Sequence, residues 1–261
     1  MPETAGSSPL DPEMPPAPAT RDHELACGIR GGHVPRGFYV RHGKRVLDLI
    51  GALALLVVLG PLIAVLALIV RATSGPPVFF RQERVGQNGT RFRIFKFRTM
   101  IPDAVHQGAG LYVADHDERV TWAGRWLRAT SMDELPQLFN VLCGDMSLVG
   151  PRPNLPVVIE RYRPYYELIL TVKPGVTGLA AVRGRSKLRR SQMLALDQEY
   201  ARSVGLFTDL GLLVASVPAV LLRRGAVGGK TAEYMEDLDT PPADTQGTST
   251  YATTEGMNTP E

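Results

Sequence analysis

The run LIGALALLVVLGPLIAVLALIV, residues 49–70, contains no charged side chain in 22 positions. As a straight α-helix it would measure about 33 Å, which is enough to cross the hydrocarbon core of a bilayer. A helix in a soluble core rarely stays apolar on every face over this length, so the run predicts insertion into a membrane. It does not resemble a cleaved signal peptide, because residues 1–45 are mostly polar and no small-residue cleavage site follows the run.

The middle of the run and its flanks predict how it lies in the membrane. Gly60-Pro61 is central, and proline removes a backbone donor, so we expect the helix to bend or break there. Each half would then reach only the bilayer midplane. Basic residues occur on both sides of the run: Arg41, Lys44, Arg45, Arg71, Arg81, Arg84, Arg91 and Arg93. Because basic flanks favour the cytoplasmic side, residues 46–70 are predicted to form a re-entrant membrane helix hairpin. The alternative is a straight span with a kink.

Charge is strongly segregated along the chain of 261 residues, although its net charge is only +3. Residues 1–29 carry a net charge of −4, residues 230–261 carry −6, and the part between them carries +13. Such a basic body should attract phosphates, anionic lipid head groups or nucleic acid. The two cysteines are too few for a disulfide framework and lack the spacing of a zinc site, which fits a reducing compartment.

Composition divides the chain into one folded domain and two tails. Residues 1–35 and 229–261 are rich in small and polar residues, so both tails are predicted to be disordered and the domain to cover 36–228.

The predicted class is α+β, mainly helical. Strands are expected at 78–80 and 91–97, joined as a β-hairpin by the turn at 86–89, with helices at 122–127, 135–142, 162–172 and 191–201. The apolar stretch 210–222 is too short to span a membrane, so it predicts an interfacial or core helix.

The densest group of candidate functional residues is SMDELP, residues 131–136, where Asp133 and Glu134 are adjacent at the predicted start of a helix. The spacing of Ser131 and Glu134 is that of a capping box, and Asp133 could instead be the N-cap. A functional interpretation is compatible with both. A carboxylate at this position could attack phosphorus, and its neighbour could hold a metal ion or move a proton.

Basic residues that suit phosphate binding surround this acidic pair in the sequence. Arg119 and Arg128 precede it, and Arg152 follows it in the motif Gly-Pro-Arg-Pro, where two prolines restrict the backbone around the guanidinium. Lys96 and Arg98 are two residues apart, which places them on one face of the predicted strand. Each of these residues alone could be a solvated surface charge. Together around one acidic pair, they indicate a site for a phosphate-bearing substrate.

The chain resembles the bacterial sugar transferase family, the monotopic phosphoglycosyl transferases of lipid-linked glycan assembly. The resemblance covers about residues 44–228. It rests on KRVLD at 44–48, FFRQERVGQNG at 79–89, FRIFKFRTM at 92–100, DERVTWAGRWLRATSMDELPQLFNVLCGDMSLVGPRP at 117–153, and KPGVTGLAAVRGR at 173–185. The block from DELPQ to GPRP is long and therefore specific. One departure is Gly60, where the family commonly has serine before the hairpin proline.

The resemblance implies an activity and roles for individual residues. A sugar 1-phosphate would pass from a UDP-sugar to undecaprenyl (polyprenyl) phosphate, with Asp133 as the nucleophile that forms a covalent phosphosugar intermediate. Glu134 would bind metal or handle a proton, and Mg²⁺ would be the cofactor, held by Asp133 and Glu134. The substrate-binding residues would be Lys96, Arg98, Arg119, Arg128, Arg152 and Arg185.

The same resemblance implies a location and partners. The re-entrant helix and amphipathic interfacial helices would hold a small cytosolic domain on the cytoplasmic face of the inner membrane, in contact with membrane lipid and possible downstream glycosyltransferases. Nucleic acid is not an expected partner, because the sequence has no recognition motif for it. The competing hypothesis is a non-catalytic, membrane-anchored basic module or scaffold. That hypothesis gives no function to Asp133 and Glu134, which lie beside the arginine motifs in the sequence.

Overall fold

The computed structural model of the protein describes residues 37–104, 117–184 and 188–221. Within these ranges the chain is mainly helical and has two small two-stranded sheets, which confirms the predicted α+β class. The predicted tails, residues 1–35 and 229–261, lie outside the described residues.

One long helix contains the apolar run. A wide turn at Tyr39–Gly43 leads into helix α1, Lys44–Ser74, which ends before Gly75. The sequence predicted that the helix would bend or break at Gly60-Pro61. A break is contradicted, because α1 continues through Pro61 without interruption. Proline removes only one backbone donor, and residues on both sides of it pack on the same domain, which keeps the helix intact. In the part of the chain that the structure describes, Tyr39–Ser74 is the one helix long and apolar enough to cross a membrane.

One stripe of α1 packs on the domain along the whole helix. Its N-terminal half contacts the core cluster that contains Leu148, and its C-terminal half contacts Phe97 and Leu127. The stripe consists of the buried residues Lys44, Asp48, Ala52, Ile63, Leu66 and Val70, with the partly buried Leu56 and Leu59 between them. The other faces are also apolar but exposed, and include Val46, Ile50, Leu53, Val57, Val58, Val65 and Leu68. The helix is therefore attached to the domain on one side and presents an apolar surface on the other.

The predicted β-hairpin is present, with a longer first strand than the sequence indicated. Strand β1, Phe79–Val85, pairs antiparallel with β2, Arg91–Phe97, and a turn at Gln87–Gly89 joins them. The predicted first strand ended at residue 80, whereas five further residues, three of them charged, extend the observed strand to Val85. They remain extended since pairing with β2 satisfies their backbone groups and alternate side chains can point to solvent.

The remaining elements surround α1 and the hairpin. In chain order they are α2 (Trp122–Thr130), α3 (Gln137–Cys143), β3 (Ser147–Val149), α4 (Pro156–Arg161), α5 (Arg163–Tyr166), β4 (Gly175–Thr177), α6 (Leu179–Arg183), α7 (Arg190–Ser203) and α8 (Leu206–Leu221). The helices predicted at 122–127, 135–142, 191–201 and 210–222 are confirmed as α2, α3, α7 and α8, with shifted ends. Gly144 follows α3 in the left-handed conformation, with φ of 95°, as a helix-ending glycine should.

The helix predicted at 162–172 is wrong. The chain leaves the helical conformation at Tyr162, restarts as the single-turn helix α5, and ends in a short turn at Ile169–Thr171. Pro164 explains the interruption, because proline is tolerated in the first turn of a helix but not in its interior. A new helix therefore begins just before Pro164.

Glycines allow β3 and β4 to approach so closely that a methyl group would not fit. A Cβ atom on Gly175 would lie 2.0 Å from the backbone nitrogen of Gly150. We expect Gly175→Ala to lower the free energy of unfolding by about 3 kcal/mol, because backbone atoms cannot move aside cheaply. Thermal unfolding in detergent measures the effect. Gly211→Ala in α8 is the control, since no atom of the described residues lies within 4 Å of its added methyl group. Equal melting temperatures for the two variants would contradict the prediction.

Candidate active site

Asp133 and Glu134 lie on a tight turn, Met132–Glu134, between α2 and α3. Ser131 ends α2 in the left-handed conformation, with φ of 60°, and this reverses the chain direction before the turn. The predicted capping roles are wrong: neither the turn nor α3 has a side-chain cap hydrogen bond, and α3 begins only at Gln137. The reversal at Ser131 places the carboxylates in a separate turn, so they are not needed to cap a helix.

Asn140 fixes this turn beside strand β2. Its side chain accepts a hydrogen bond from the Phe95 backbone nitrogen at 2.9 Å and donates one to the Arg93 carbonyl at 2.8 Å. Asn140 is fully buried and acts in place of a neighbouring strand, satisfying two backbone groups of β2. Because Asn140 belongs to α3, this pair of bonds aligns the start of α3 with the end of β2 that carries Lys96.

Glu134 is held between two cations. Its Oε1 atom accepts hydrogen bonds from Lys96 Nζ at 2.7 Å and from Arg152 Nη2 at 2.6 Å, whereas Oε2 has only a 3.4 Å contact with Arg152 Nη1. Burial disfavours the charged form of Glu134, but Arg152 and Lys96 outweigh this and hold its pKa below the usual range. The side chain of Arg152 is 61% exposed, so its remaining donors can reach a ligand.

Asp133 differs from Glu134, since it accepts no hydrogen bond from any residue that the structure describes. Burial raises its pKa to about 6, and the charge of Glu134 adds to this effect, while Lys96, Arg152 and Arg128 oppose it. The carboxylate is therefore mostly ionised at neutral pH but poorly solvated. A charged oxygen without hydrogen-bond partners is suited to act as a nucleophile or a base.

Arg128 supplies an unused donor near this carboxylate. Its Nη1 atom is buried and has no hydrogen-bond partner in the part of the chain that the structure describes, and the charge of Arg128 lowers the pKa of Asp133. A buried guanidinium donor without a partner carries a free-energy penalty that an anionic ligand would relieve. The structure therefore brings together five predicted site residues: Lys96, Arg128, Asp133, Glu134 and Arg152.

Three other predicted substrate-binding residues are not placed with them. Arg98 is buried and donates to the carbonyls of Ser74, Gly75 and Pro76 at the end of α1, so it anchors that helix. Arg119 is also buried and forms a two-pronged ion pair with Asp117. Arg185 lies outside the described residues.

Two charged residues near the site were not predicted. Arg84 on β1 is close enough to Arg152 and Glu134 to feel both charges, and burial lowers its pKa to about 10. Asp197 on α7 is 5% exposed, and burial raises its pKa to about 7 against the opposing effect of Arg152. The alternation of side chains along a β-hairpin could have placed Arg84 on the same face as Lys96. No sequence signal relates Asp197 to Arg152.

Asp133 and Glu134 could bind Mg²⁺ only together with other ligands, namely water and the phosphate of a substrate. Among the described residues, no group of three or more His, Cys, Asp or Glu side chains could hold a metal ion. Mg²⁺ commonly takes only one or two protein carboxylates and completes its shell with water and substrate phosphate. Asp133 and the lightly bonded Oε2 atom of Glu134 provide such ligands. A metal ion here would therefore bind together with a phosphate-bearing substrate.

Comparison with known proteins identifies relatives of the whole described domain. Residues 39–223 match the bacterial sugar transferase family. The chain is 42% identical over 205 residues to the UDP-glucose:undecaprenyl-phosphate glucose-1-phosphate transferase of Caulobacter vibrioides, covering 73% of this chain and 74% of that protein. It is 36% identical over 197 residues to the exopolysaccharide production protein ExoY of Rhizobium meliloti, covering 70% and 87%. It is 37% identical to the undecaprenyl-phosphate galactose phosphotransferase of Salmonella typhimurium, covering 70% of this chain but only 41% of that protein.

Proposed function

Because the chain belongs to the bacterial sugar transferase family, we propose that it transfers a sugar 1-phosphate from a UDP-sugar to undecaprenyl phosphate. The names of the Caulobacter and Salmonella relatives support these two substrates. The observation that carries the proposal is the Asp133 carboxylate, which has no hydrogen-bond partner within the described residues and lies among the cations Lys96, Arg128 and Arg152. A product that begins exopolysaccharide synthesis is consistent with the name of the Rhizobium relative.

The charges of the site suit a diphosphate. A carboxylate and a diphosphate repel each other, so they approach only if fixed cations offset both. Lys96 and Arg152 are paired with Glu134, whereas a buried donor of Arg128 has no partner among the described residues. The exposed guanidinium of Arg152 can turn part of its donor set to a phosphate while it remains bonded to Glu134.

In the proposed reaction, an oxygen of Asp133 attacks the phosphorus that carries the sugar. The bond from that phosphorus to the oxygen of UMP breaks, UMP leaves with the bonding electrons, and the sugar phosphate remains on Asp133. An oxygen of undecaprenyl phosphate then attacks the same phosphorus and displaces the Asp133 carboxylate. Dividing the transfer into two displacements predicts ping-pong kinetics. Arg128 and Arg152 neutralise the phosphate oxygens in both steps.

Mg²⁺ is the proposed cofactor, with Asp133 and Glu134 as its protein ligands. When bound, it would neutralise negative charge on the diphosphate oxygens, which would help UMP to leave. The contact of Lys96 with Glu134 keeps that carboxylate oriented and ionised for this role.

The proposed location is the cytoplasmic face of the inner membrane, with α1 entering one leaflet from that side. Both halves of α1 pack on the same domain, and its outer faces are apolar. A straight crossing would carry the attached domain, with its charged surface, into the hydrocarbon, which is costly. Further exposed apolar residues that could enter the interface lie on α2 and α8: Trp122, Trp126, Leu206, Phe207, Leu210, Val214 and Val217.

Membrane-impermeant cysteine labelling near residues 40 and 85 in spheroplasts tests this arrangement, and labelling of either end from outside would overturn it.

The activity is tested with purified protein, undecaprenyl phosphate, Mg²⁺ and a panel of radiolabelled UDP-sugars. The expected result is label in the lipid fraction together with release of UMP for at least one donor. Neither product with any UDP-sugar would reject the proposed function. Release of UMP without lipid label would instead show hydrolysis and reject the proposed acceptor.

The pH dependence of this reaction should report the ionisation of Asp133. Its carboxylate must be charged to attack, and its pKa is raised to about 6, so kcat/KM should fall about tenfold per pH unit below that value. In Glu134→Gln the negative neighbour is lost, which lowers the pKa of Asp133 and moves the acid limb of the residual activity to lower pH. Glu167→Gln, at an exposed position, should leave the limb unchanged. A limb that stays in place in Glu134→Gln would contradict the assignment.

A further inference from the structure

Arg84 lies on the same face of the hairpin as the catalytic-site residue Lys96. In the register of the hairpin, Phe80 is opposite Lys96 and Arg84 is opposite Phe92. Residues directly opposite each other share a face, and so do residues two apart along a strand. Arg84 and Lys96 therefore both point to the side of the hairpin that meets Glu134.

The contacts of Arg84 tie it to the Gly-Pro-Arg-Pro segment. Its Nη1 atom donates to the carbonyl of Pro153 at 3.2 Å, and its Nη2 atom donates to Gln82 Oε1 at 2.7 Å. Pro153 directly follows Arg152, whose guanidinium binds Glu134. The Nε atom of Arg84 is buried and has no hydrogen-bond partner within the described residues. Its side chain thus fixes the backbone beside Arg152 and keeps one donor unused.

Arg84 forms no ion pair within the described residues, although Glu134 is near enough to stabilise its charge. Its hydrogen bonds go to a carbonyl and an amide oxygen, both neutral, while its charge repels that of Arg152. The bond from Arg84 to the Pro153 carbonyl holds the backbone from which Arg152 reaches Glu134. Arg84 also adds positive charge next to Arg152, which a diphosphate would neutralise.

We propose that Arg84 is a positioning residue of the donor site: it fixes the Pro153 carbonyl, directs Arg152 toward Glu134, and supplies additional positive charge for the diphosphate of the donor. The proposal rests on the proposed function for the identity of the donor. It assigns Arg84 an effect on donor affinity rather than on the chemical step.

The test compares Arg84→Met, Arg84→Lys and the control Arg91→Met in the full-length protein. Arg91 is on the same hairpin, and its exposed side chain pairs with Glu83. Arg84→Met should raise the KM for the UDP-sugar about tenfold with kcat nearly unchanged, since binding is lost equally in ground and transition states. Arg84→Lys should fall between this variant and the wild type, because lysine restores the charge but cannot make both contacts in the fixed geometry of the guanidinium. Arg91→Met should match the wild type.

A second readout separates this proposal from the proposed function. Calorimetry with inorganic pyrophosphate measures diphosphate affinity without any transfer, and Arg84→Met should weaken binding about tenfold relative to the wild type and to Arg91→Met. If the wild type transfers no sugar phosphate but Arg84→Met still weakens pyrophosphate binding, the proposed function fails and the role of Arg84 is retained. If Arg84→Met lowers only thermal stability or kcat, and neither KM nor pyrophosphate affinity changes, Arg84 is merely structural and the proposal is overturned.

Discussion

Asp133→Asn should lower the rate of sugar-phosphate transfer by about 10⁴-fold or more, because the amide cannot form the proposed phosphosugar intermediate. The change keeps the size of the side chain and removes only the charge. Asp133 has no hydrogen-bond partner among the described residues, so the substitution breaks no bond that holds the fold. Loss of activity with an unchanged melting temperature is therefore expected. Transfer of label from the UDP-sugar to lipid measures the rate, and thermal unfolding measures the fold.

The proposed covalent step can be measured separately from the overall transfer. Wild-type protein incubated with donor and Mg²⁺, but without undecaprenyl phosphate, should gain the mass of one sugar phosphate, and Asp133→Asn should gain none. Asp103→Asn is a matched control, since Asp103 is exposed and its φ of 56° is one that asparagine tolerates. Transfer by Asp133→Asn at a rate close to that of the wild type would remove Asp133 from the mechanism. Mass gain on both the wild type and Asp133→Asn would place the covalent bond elsewhere.

Residues of the candidate site could be predicted from the sequence where their spacing and the chemistry of their side chains indicate the same function. Asp133 and Glu134 are adjacent, and Arg152 is restricted by two prolines, so their types alone indicated a phosphate site. The structure adds what brings them together, namely the buried side chain of Asn140, which joins α3 to β2. Nothing in the sequence shows that an asparagine within a helix will satisfy the backbone of a strand more than 40 residues earlier.

Arg98 shows why the remaining basic residues were harder to assign. The alternation of a strand places Arg98 on the same side as Lys96, but Arg98 lies just beyond β2, where the alternation no longer determines direction. The last carbonyls of α1 lack helical partners, and the guanidinium of Arg98 binds the carbonyl of Ser74 at the end of the helix and those of Gly75 and Pro76 just after it. Arg84 was missed because the first strand was predicted to end at residue 80, so the alternation that places Arg84 on the same face as Lys96 was not applied to it.

The start of α1 depends on a buried ion pair, and this predicts the largest loss of stability. Asp209 on α8 is fully buried and accepts hydrogen bonds from Lys44 Nζ at 2.7 Å and from the Tyr200 hydroxyl at 2.8 Å. Lys44 also donates to the carbonyl of Val149, one residue before the Gly-Pro-Arg-Pro segment. One cluster of polar groups therefore joins the apolar helix, α7, α8 and the strand that leads to Arg152.

Asp209→Asn should lower the free energy of unfolding by about 3–5 kcal/mol, because it leaves the buried ammonium of Lys44 without its direct ion-pair partner and with only the more distant charge of Asp48 nearby. For a domain of this size the melting temperature should fall by about 10 °C. The exposed pair of Arg183 and Glu199, 3.1 Å apart, provides the control, and Glu199→Gln should change stability by less than about 1 kcal/mol. The double variant Lys44→Met with Asp209→Leu removes both members of the ion pair and should be more stable than Asp209→Asn, since burying neither member costs less than burying one without its partner. If Asp209→Asn and Glu199→Gln melted at the same temperature, the ion pair would contribute no more than a surface contact, and the attachment of α1 would depend on its apolar stripe alone.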